Sequence, residues 1–544
     1  MGDSRSSAGA LERAPVDWVS PLPPVRSGIA DYSAEILPFL EHECDLRVIA
    51  VPGQEIDAEI VRRHRPVPLE RAGEGGRLPL YQVGNNSYHA AIVERALIRP
   101  GVVTLHDVVL HHLLQERTLA HGDLDGYVRA LVADHGWIGG AVALVPRWHG
   151  YGRSALFALP AHRTLLSRQR GLIVHSSWAR DVLREEGIAT PTEVVAMPMP
   201  VPPALVPGTA AAFRARHRIP AGALVLGSLG FQTPIKRTAV VLRALATRGL
   251  EGVYLVVGGA ASPAIDLEAL ARELGVAERV RITGFLEAEE YRAAIAACDL
   301  CVNLRYPTAG ETSAALLRVA AHGRPVVVSD FGQFAELPEE IAVRVPLDDG
   351  RAEGEEVAGL VRLVREALED RSRLAAAGRR ARDWVERHHR PERVARHLGG
   401  ILAAWSRAGA RDAPEPVAPA VRRPTSLTWG RFEGALRVLG AERWSPGERR
   451  IVEIRLRNVS FARWLAAEAG PGGLALEVSF VEGSKRRSCG PWLPIQTDLE
   501  PLGEAAFRLT LRRPLEDCRL RIEPHVIGAG GFAALGGPVW EAAV

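Results

Sequence analysis

The feature that most constrains this chain is an alternation of short aliphatic strands and amphipathic helices that runs twice. From Val16 to about Pro203, the segments VDWVSPL, DLRVIAV, LPLYQVG, GVVTLHD and GLIVHSS read as strands, each leading into a polar or glycine-containing loop. Stretches between them, such as Tyr32–Glu41 and Tyr88–Ile98, read as helices. The alternation restarts at Ala223 with ALVLGSLG, VYLVVGG, RVRITGF, LCVNLRY, RPVVVSD and IAVRVPL. Helices are predicted there over Ile265–Leu274, Glu287–Ala297 and Thr312–His322. Such alternation predicts an α/β architecture, with parallel sheets covered on both faces. Met197–Pro207 holds five prolines, cannot be one regular element, and separates the two runs. Two Rossmann-like domains are expected, spanning 1–205 and 206–390, with a cleft outside the carboxyl ends of their strands.

Asp383–His388 and Pro391–Trp405 read as two final helices, and 391–407 is expected to cross back onto the first domain. Residues 408–424 contain four prolines and read as an extended linker. Beyond it the period changes to two. In VEIRLRN, Val452, Ile454 and Leu456 alternate with Glu453, Arg455 and Arg457. LALEVSF and FRLTLRR behave alike, so 425–544 is predicted to be an all-β sandwich. The prolines are expected to keep this sandwich from docking onto either Rossmann core. Trp429, Trp444, Trp464 and Trp492 are candidates for sugar-stacking surfaces, with core packing as the alternative.

At 544 residues the chain can bury several cores without disulfide or metal staples. Its net charge of +3 gives no general reason to expect nucleic acid. The five cysteines are scattered, and the C-x-x-C of Cys298 and Cys301 reads as core packing rather than a metal or redox pair. The N-terminus lacks an apolar signal core and no transmembrane run is found, so a cytoplasmic location is expected. Arg163, Arg168 and Arg170, with Leu165 and Leu166, form a candidate peripheral contact with the inner face of a membrane. A solvated helix face is the alternative.

Four segments carry candidate chemistry. In Asn303–Asp330 a strand ends in a Pro/Gly loop and a helix begins near Glu311, Thr312 and Ser313. Free backbone N–H groups at that start suit a phosphate, although simple capping accounts for the same residue types. In GSLGFQTPIKR the loop holding Gly230 leads to Lys236, whose ammonium could reach diphosphate oxygens. A solvated basic pair is the alternative there. In LHDVVLHH, His106 and Asp107 follow a strand end; a metal set of His106, Asp107, His111 and His112 fits no zinc spacing. Gly28 in SGIADY could admit a ligand close to the backbone, and Asn85 and Asn86 in QVGNN could bond a hydroxylated ligand.

Together the segments PPVRSGIADYS, YQVGNNSYHA, VVTLHDVVLHH, IVHSSWARDVL, GSLGFQTPIKR, ITGFLEAEEY, RYPTAGETSAALLRVAAHGRPVVVSD and FAELP resemble the family-4 retaining glycosyltransferases of the GT-B fold, in a G-E-T-S subset. The resemblance covers about residues 16–405. It implies a hexose transferred with retention from a nucleoside-diphosphate sugar to a glycan or lipid-linked acceptor, without a metal or other cofactor, in bacterial polysaccharide or glycoconjugate synthesis. It implies catalytic roles for His106, Lys236 and Glu311. Donor contacts are implied at Gly28, Lys236, Gly284, Phe285, Glu311, Thr312 and Ser313; Gly230 is expected to join them, and Asn85, Asn86 and Asp107 are expected to contact the acceptor. Two positions depart from the pattern. Phe231 stands where the family often has an arginine. Arg318 stands where its second glutamate falls, and Glu311 is one residue out of register for the first. An epimerase of the same architecture and a non-catalytic carbohydrate-binding scaffold are the competing readings. ERWSPGE, LRNVSFARW and PWLPIQTDLEPLG give the last region a resemblance to immunoglobulin-like modules appended to some bacterial glycosyltransferases.

Overall fold

The computed structural model describes residues 13–144, 155–347, 354–408, 425–426, 432, 434–460, 462–500, 502–528, 530–533 and 537–544. In the first lobe seven parallel strands form one sheet. They are β1 (Pro15–Val19), β2 (Asp45–Ala50), β3 (Val67–Pro68), β4 (Leu78–Val83), β5 (Val102–Leu105), β6 (Gly171–Val174) and β7 (Thr192–Val194), in the order β3-β2-β1-β4-β5-β6-β7. The second lobe carries β8 (Leu224–Leu229), β9 (Val253–Gly258), β10 (Val280–Gly284), β11 (Leu300–Asn303), β12 (Val326–Ser329) and β13 (Ala342–Val345), in the order β10-β9-β8-β11-β12-β13. Every residue of β4, β5, β6, β8, β11 and β12 is buried. Helices cover both faces of each sheet, which is why these strands are continuous aliphatic runs.

Each sheet reverses its winding once, between β1 and β4 in the first lobe and between β8 and β11 in the second. A crevice opens at the strand ends at such a point. The loops leaving β8 and β11 carry Lys236 and Glu311; those leaving β1, β4 and β5 carry Gly28, Asn85 and Asp107. The helix Pro391–Arg407 lies against the first-lobe helix Gly28–Glu43. There Gly399 is required, because an added Cβ would come within 2.6 Å of Glu43 Cβ.

The C-terminal domain comprises β14 (Gly434–Leu439), β15 (Arg449–Asn458), β16 (Leu474–Glu482), β17 (Lys485–Ser488), β18 (Leu493–Pro494), β19 (Glu504–Arg512), β20 (Arg519–Val526), β21 (Gly530–Gly531) and β22 (Trp540–Ala543). One antiparallel sheet runs β14-β15-β19 and the other β17-β16-β20-β21, with β18 on β16 and β22 on β20. They enclose a core built on Phe432, Trp444, Trp464, Phe480 and Phe532.

Three expectations need correction. The β-sheet domain docks on the first lobe: Ala462, fully buried, packs with Ile138, Val142, Ala158 and Leu159. A short apolar contact here seats the domain; the proline segment 409–424 lies outside the described residues. Trp444 and Trp464 are core residues, while Trp492 is half-buried and rests on His525 at 4.1 Å; Trp429 lies outside the described residues. The candidate basic membrane face is largely turned inward, with only Arg168 exposed among its arginines and leucines. Leu165 and Leu166 are buried, Arg163 bonds the Glu186 carbonyl, and Arg170 donates to the Trp405 carbonyl. Among the described residues no helix is long and apolar enough to cross a membrane.

The C-x-x-C pair is buried against β8. Cys298 Sγ and Cys301 Sγ lie 2.6 Å and 3.1 Å from where a Cβ of Gly227 would stand, so a glycine is needed there. The helix following β11 is Ala314–Ala321, shorter than predicted because Ser313 caps it and Thr312 stays outside.

Candidate active site

The second-lobe crevice is built around Lys236. After β8 the chain turns at Gly230, whose φ is +99°, and a short turn Pro234–Lys236 brings the lysine back over the strand end. Its ammonium donates to the Leu229 carbonyl at 3.2 Å. Nζ lies 2.7 Å from where a Gly230 Cβ would be, so the glycine makes room for the charge. Burial, together with the charge of Arg305, pushes the Lys236 ammonium well below its ordinary range, and Glu311 pulls the other way. A desolvated cation beside a second cation favours an anion.

Arg305 comes from the loop after β11 and is 7% exposed. Its Nε lies 2.8 Å from Glu311 Oε1. Glu311 Oε2 accepts from Thr308 Oγ1 at 3.1 Å and from the Ala309 amide at 3.0 Å. Gln333 donates to Thr308 Oγ1 and to the Glu311 carbonyl, tying this loop to the turn after β12. Ser313 accepts from the Leu316 amide at 3.2 Å, and its hydroxyl donates to Asn303 Oδ1. Beside it the buried Asn303 Nδ2 has no hydrogen-bond partner. Thr312 precedes this cap and is half-buried.

The first lobe faces this cluster with Asp107. Burial, then the charge of Glu311, pushes its carboxyl up to about 7, while the Asn85 amide and Arg305 oppose the shift. Asp107 Oδ2 accepts from the Asn85 amide at 2.9 Å. His106 is turned inward: its Nε2 donates to Gln82 Oε1 at 2.9 Å, and its ring meets the edge of Tyr32 and lies 5.0 Å from His175. Burial and the neighbouring imidazoles hold His106 far below the ordinary histidine range, so it is neutral and supports the strand end behind Asp107. Asn85 accepts from the Leu113 amide and lies 2.9 Å from His112 Nδ1, so its side chain staples two loops together. Asn86 caps the next turn by accepting from the Tyr88 amide. His111 is engaged by the Tyr127 hydroxyl, and among the described residues no three His, Cys, Asp or Glu side chains converge on a common point.

Contacts across the cleft hold the lobes together. The Val109 amide donates to the Ala309 carbonyl at 3.0 Å. Gly310, at φ +82°, has no room for a Cβ, which would meet Val108 at 2.6 Å and Trp178 at 2.9 Å. The Trp178 amide donates to both Glu336 oxygens. At the other end, Arg26 lies 4.3 Å over the Phe285 ring and 3.7 Å from Glu287. Gly284 turns the chain there at φ +70°, and Phe285 is half exposed. Nothing lies within 4 Å of a Cβ added to Gly28, so the start of its helix is open. Arg318 spans the cleft as well, with Glu35 at 2.6 Å and Asp31 at 3.5 Å. Its guanidinium is thus paired with the first lobe.

The structure therefore brings Lys236, Arg305, Glu311 and Asp107 within mutual electrostatic range, with Gly230 beneath Lys236 and Thr312 and Ser313 at the adjoining helix start. His106, Asn85 and Asn86 make their bonds within the first lobe, as Glu311 does within the second, and Gly284 and Phe285 stand at another rim. Arg305 was given no role by its sequence. The available signal was a cation two residues beyond a strand at the sheet's reversal point.

A family model described as "Glycosyl transferases group 1" matches residues 222–394, which hold the second lobe's strands and its cation pair. The sucrose-phosphate synthase from Thermosynechococcus elongatus superimposes with a TM-score of 0.51 at 16% identity, covering 73% of this chain and all of that one. The fold is GT-B. To this the chain adds the antiparallel β-domain. Among curated relatives, a D-inositol 3-phosphate glycosyltransferase of Stackebrandtia nassauensis is 32% identical over 181 residues, 31% of this chain and 40% of that protein. A GDP-mannose-dependent alpha-(1-6)-phosphatidylinositol monomannoside mannosyltransferase of Mycobacterium tuberculosis is 29% identical over 203 residues, 36% of this chain and 51% of that protein. The chain spans about half, or less, of the relatives it matches. In this GT-B chain, Lys236, Arg305, Glu311 and Ser313 all fall within the matched segment.

Proposed function

We propose that the protein transfers a hexose from a nucleoside-diphosphate sugar to an acceptor hydroxyl, with retention of anomeric configuration. The observation that carries this reading is the pair of desolvated cations, Lys236 and Arg305, beside the capped helix start at Ser313. Together they form a seat for a diphosphate at the reversal point of a GT-B donor lobe. The printed names of the matched relatives, which transfer sugars and in one case depend on GDP-mannose, support the same class.

In the proposed reaction the C1–oxygen bond of the donor breaks as the acceptor oxygen forms a bond to C1 on the same face. The transition state has oxocarbenium character. The bonding pair leaves on the diphosphate, where Lys236, Arg305 and the helix start stabilise the growing charge. The acceptor proton passes to the departing phosphate oxygen. Glu311 holds sugar hydroxyls, and Asp107 orients the acceptor hydroxyl from the opposite lobe. Arg305 takes the place of the arginine missing at Phe231, delivered from β11 instead of the β8 loop. In this reading Lys236 and Arg305, with Glu311 beside them, stabilise the leaving diphosphate themselves, so turnover is expected to persist in excess chelator. The test is donor consumption with a panel of nucleotide sugars and acceptor glycosides, and NMR of the product anomer. Turnover with inverted product refutes retention; donor isomerisation without transfer favours the epimerase reading.

A further inference from the structure

A partly enclosed cavity of about 420 Å³ opens where both Rossmann-like lobes and the β-sheet domain meet. Phe157 and Trp178 of the first lobe, Thr308 and Phe331 of the second, and Arg463 and Leu465 of the β-sheet domain contribute to its wall. We propose that this cavity is an acceptor site for a glycoside with a short apolar aglycone, the aglycone lying in the cavity and the sugar hydroxyl reaching Asp107. This inference rests on the transferase reading above.

Position is the first argument. Val108 lines the cavity and directly follows Asp107, while Thr308 lines it and bonds the Glu311 carboxylate. The cavity therefore adjoins the chain on both sides of the cleft next to the two carboxylates, with Val109 and Ala309 in contact at that wall. Chemistry is the second. Ten of the nineteen wall residues are apolar, Phe157, Trp178 and Phe331 among them, and the volume falls in the range of small-molecule sites. The polar groups are mostly engaged: His162 donates to the Val108 carbonyl and pairs with Glu186 at 2.8 Å, and Asp134 accepts from the Arg163 and Thr164 amides. A largely apolar group fits such a lining better than a second polar sugar ring. The rim is the third. Ala462 anchors the β-sheet domain on the first lobe. The Leu465 amide donates to Ser426 Oγ, and the Ser426 amide to the Arg463 carbonyl, so Arg463 and Leu465 are held in place over the opening. The β-sheet domain thereby closes a site that neither Rossmann lobe forms alone.

The experiment measures binding of methyl, butyl, octyl and decyl glucosides to the full chain by titration calorimetry below micelle-forming concentrations, with and without UDP and GDP. Transfer to the same glucosides is followed in parallel. Octyl glucoside should bind on the order of tenfold more tightly than methyl glucoside, with little further gain at decyl, because the cavity is bounded. Leu465→Trp fills the cavity from the β-sheet domain and Val182→Phe fills it from the first lobe. Both should abolish the chain-length preference while leaving nucleoside diphosphate affinity unchanged. Two variants from opposite walls guard against one failing to fold. Equal affinity for methyl and octyl glucosides, or an undiminished preference in a folded variant, overturns the proposal. A gain that continues through decyl overturns it in favour of an open apolar surface. Failure of the transferase reading is separate: nucleotide sugars would not turn over, whatever the glucosides do.

Discussion

Replacing Asp107 with asparagine should make the protein less sensitive to alkaline pH. Burial of the carboxyl in the half-buried Asp107, with the charge of Glu311, pushes it up to about 7, against an ordinary value of 3.8. A carboxyl raised on folding holds its proton more tightly in the native state, so its contribution falls as pH rises. The contribution is fully present below about 4 and is lost as pH passes through 7. About three units at roughly 1.36 kcal/mol each place the whole effect at ~4 kcal/mol, of which about 2–3 kcal/mol is lost between pH 5 and pH 8. Asparagine cannot ionise, yet its amide oxygen can still accept from the Asn85 amide. Urea unfolding of both proteins at pH 5, 6.5 and 8 reads the difference directly. The stability advantage of Asp107→Asn should grow with pH. A constant difference, or one that shrinks toward pH 8, would show that Asp107 is ionised at no penalty and refute the account of its surroundings.

Other outcomes follow from the same geometry. Lys236→Ala should lower kcat by on the order of 10²–10³, corresponding to a lost contact of about 3–4 kcal/mol in the transition state, with circular dichroism unchanged. Gly310→Ala should drive a Cβ into Val108 and Trp178 and loosen the closed cleft, seen as an increased radius of gyration in small-angle scattering. Arg318→Ala removes the bridge to Glu35 and Asp31 and leaves Glu35, already raised by burial, without its opposing charge. The variant should unfold at lower temperature above pH 7, with the difference shrinking as Glu35 becomes protonated at acid pH. Truncation after residue 408 exposes the apolar patch under Ala462 and should lower the unfolding midpoint of the two lobes by several degrees.

The α/β architecture was legible in the sequence because buried parallel strands are runs of Val, Leu and Ile that end abruptly in loops. The edge strands β3 and β7 were not: Val67–Pro68 is two residues long and Thr192–Val194 three, too short for a periodic signal. The loops holding Lys236 and Glu311 stood out as motifs, and the fold brings them to one crevice. Arg305 did not stand out, because its significance comes from strand order: only when β11 lies beside β8 does a cation after one strand reach a cation after the other. Polar residues at strand ends were ambiguous for a different reason. His106, Asn85 and Asn86 are bonded within their own lobe, as Glu311 is within the other, and a sequence does not record which partner a side chain finds. The supposed basic face misled in the same way, since Leu165 and Leu166 belong to the first-lobe core.

The central claim is that Lys236 and Arg305 together seat a diphosphate, and titration calorimetry tests it most directly. UDP, GDP, ADP and TDP would be titrated into the wild-type chain, Lys236→Ala and Arg305→Ala, with the matching nucleoside monophosphates as controls. The account predicts that at least one diphosphate binds more tightly than its monophosphate, and that either substitution removes most of that difference, on the order of tenfold or more for a charge-assisted contact. A preference for diphosphate that survives in both folded variants, or binding of no nucleotide by the wild-type chain, would contradict it.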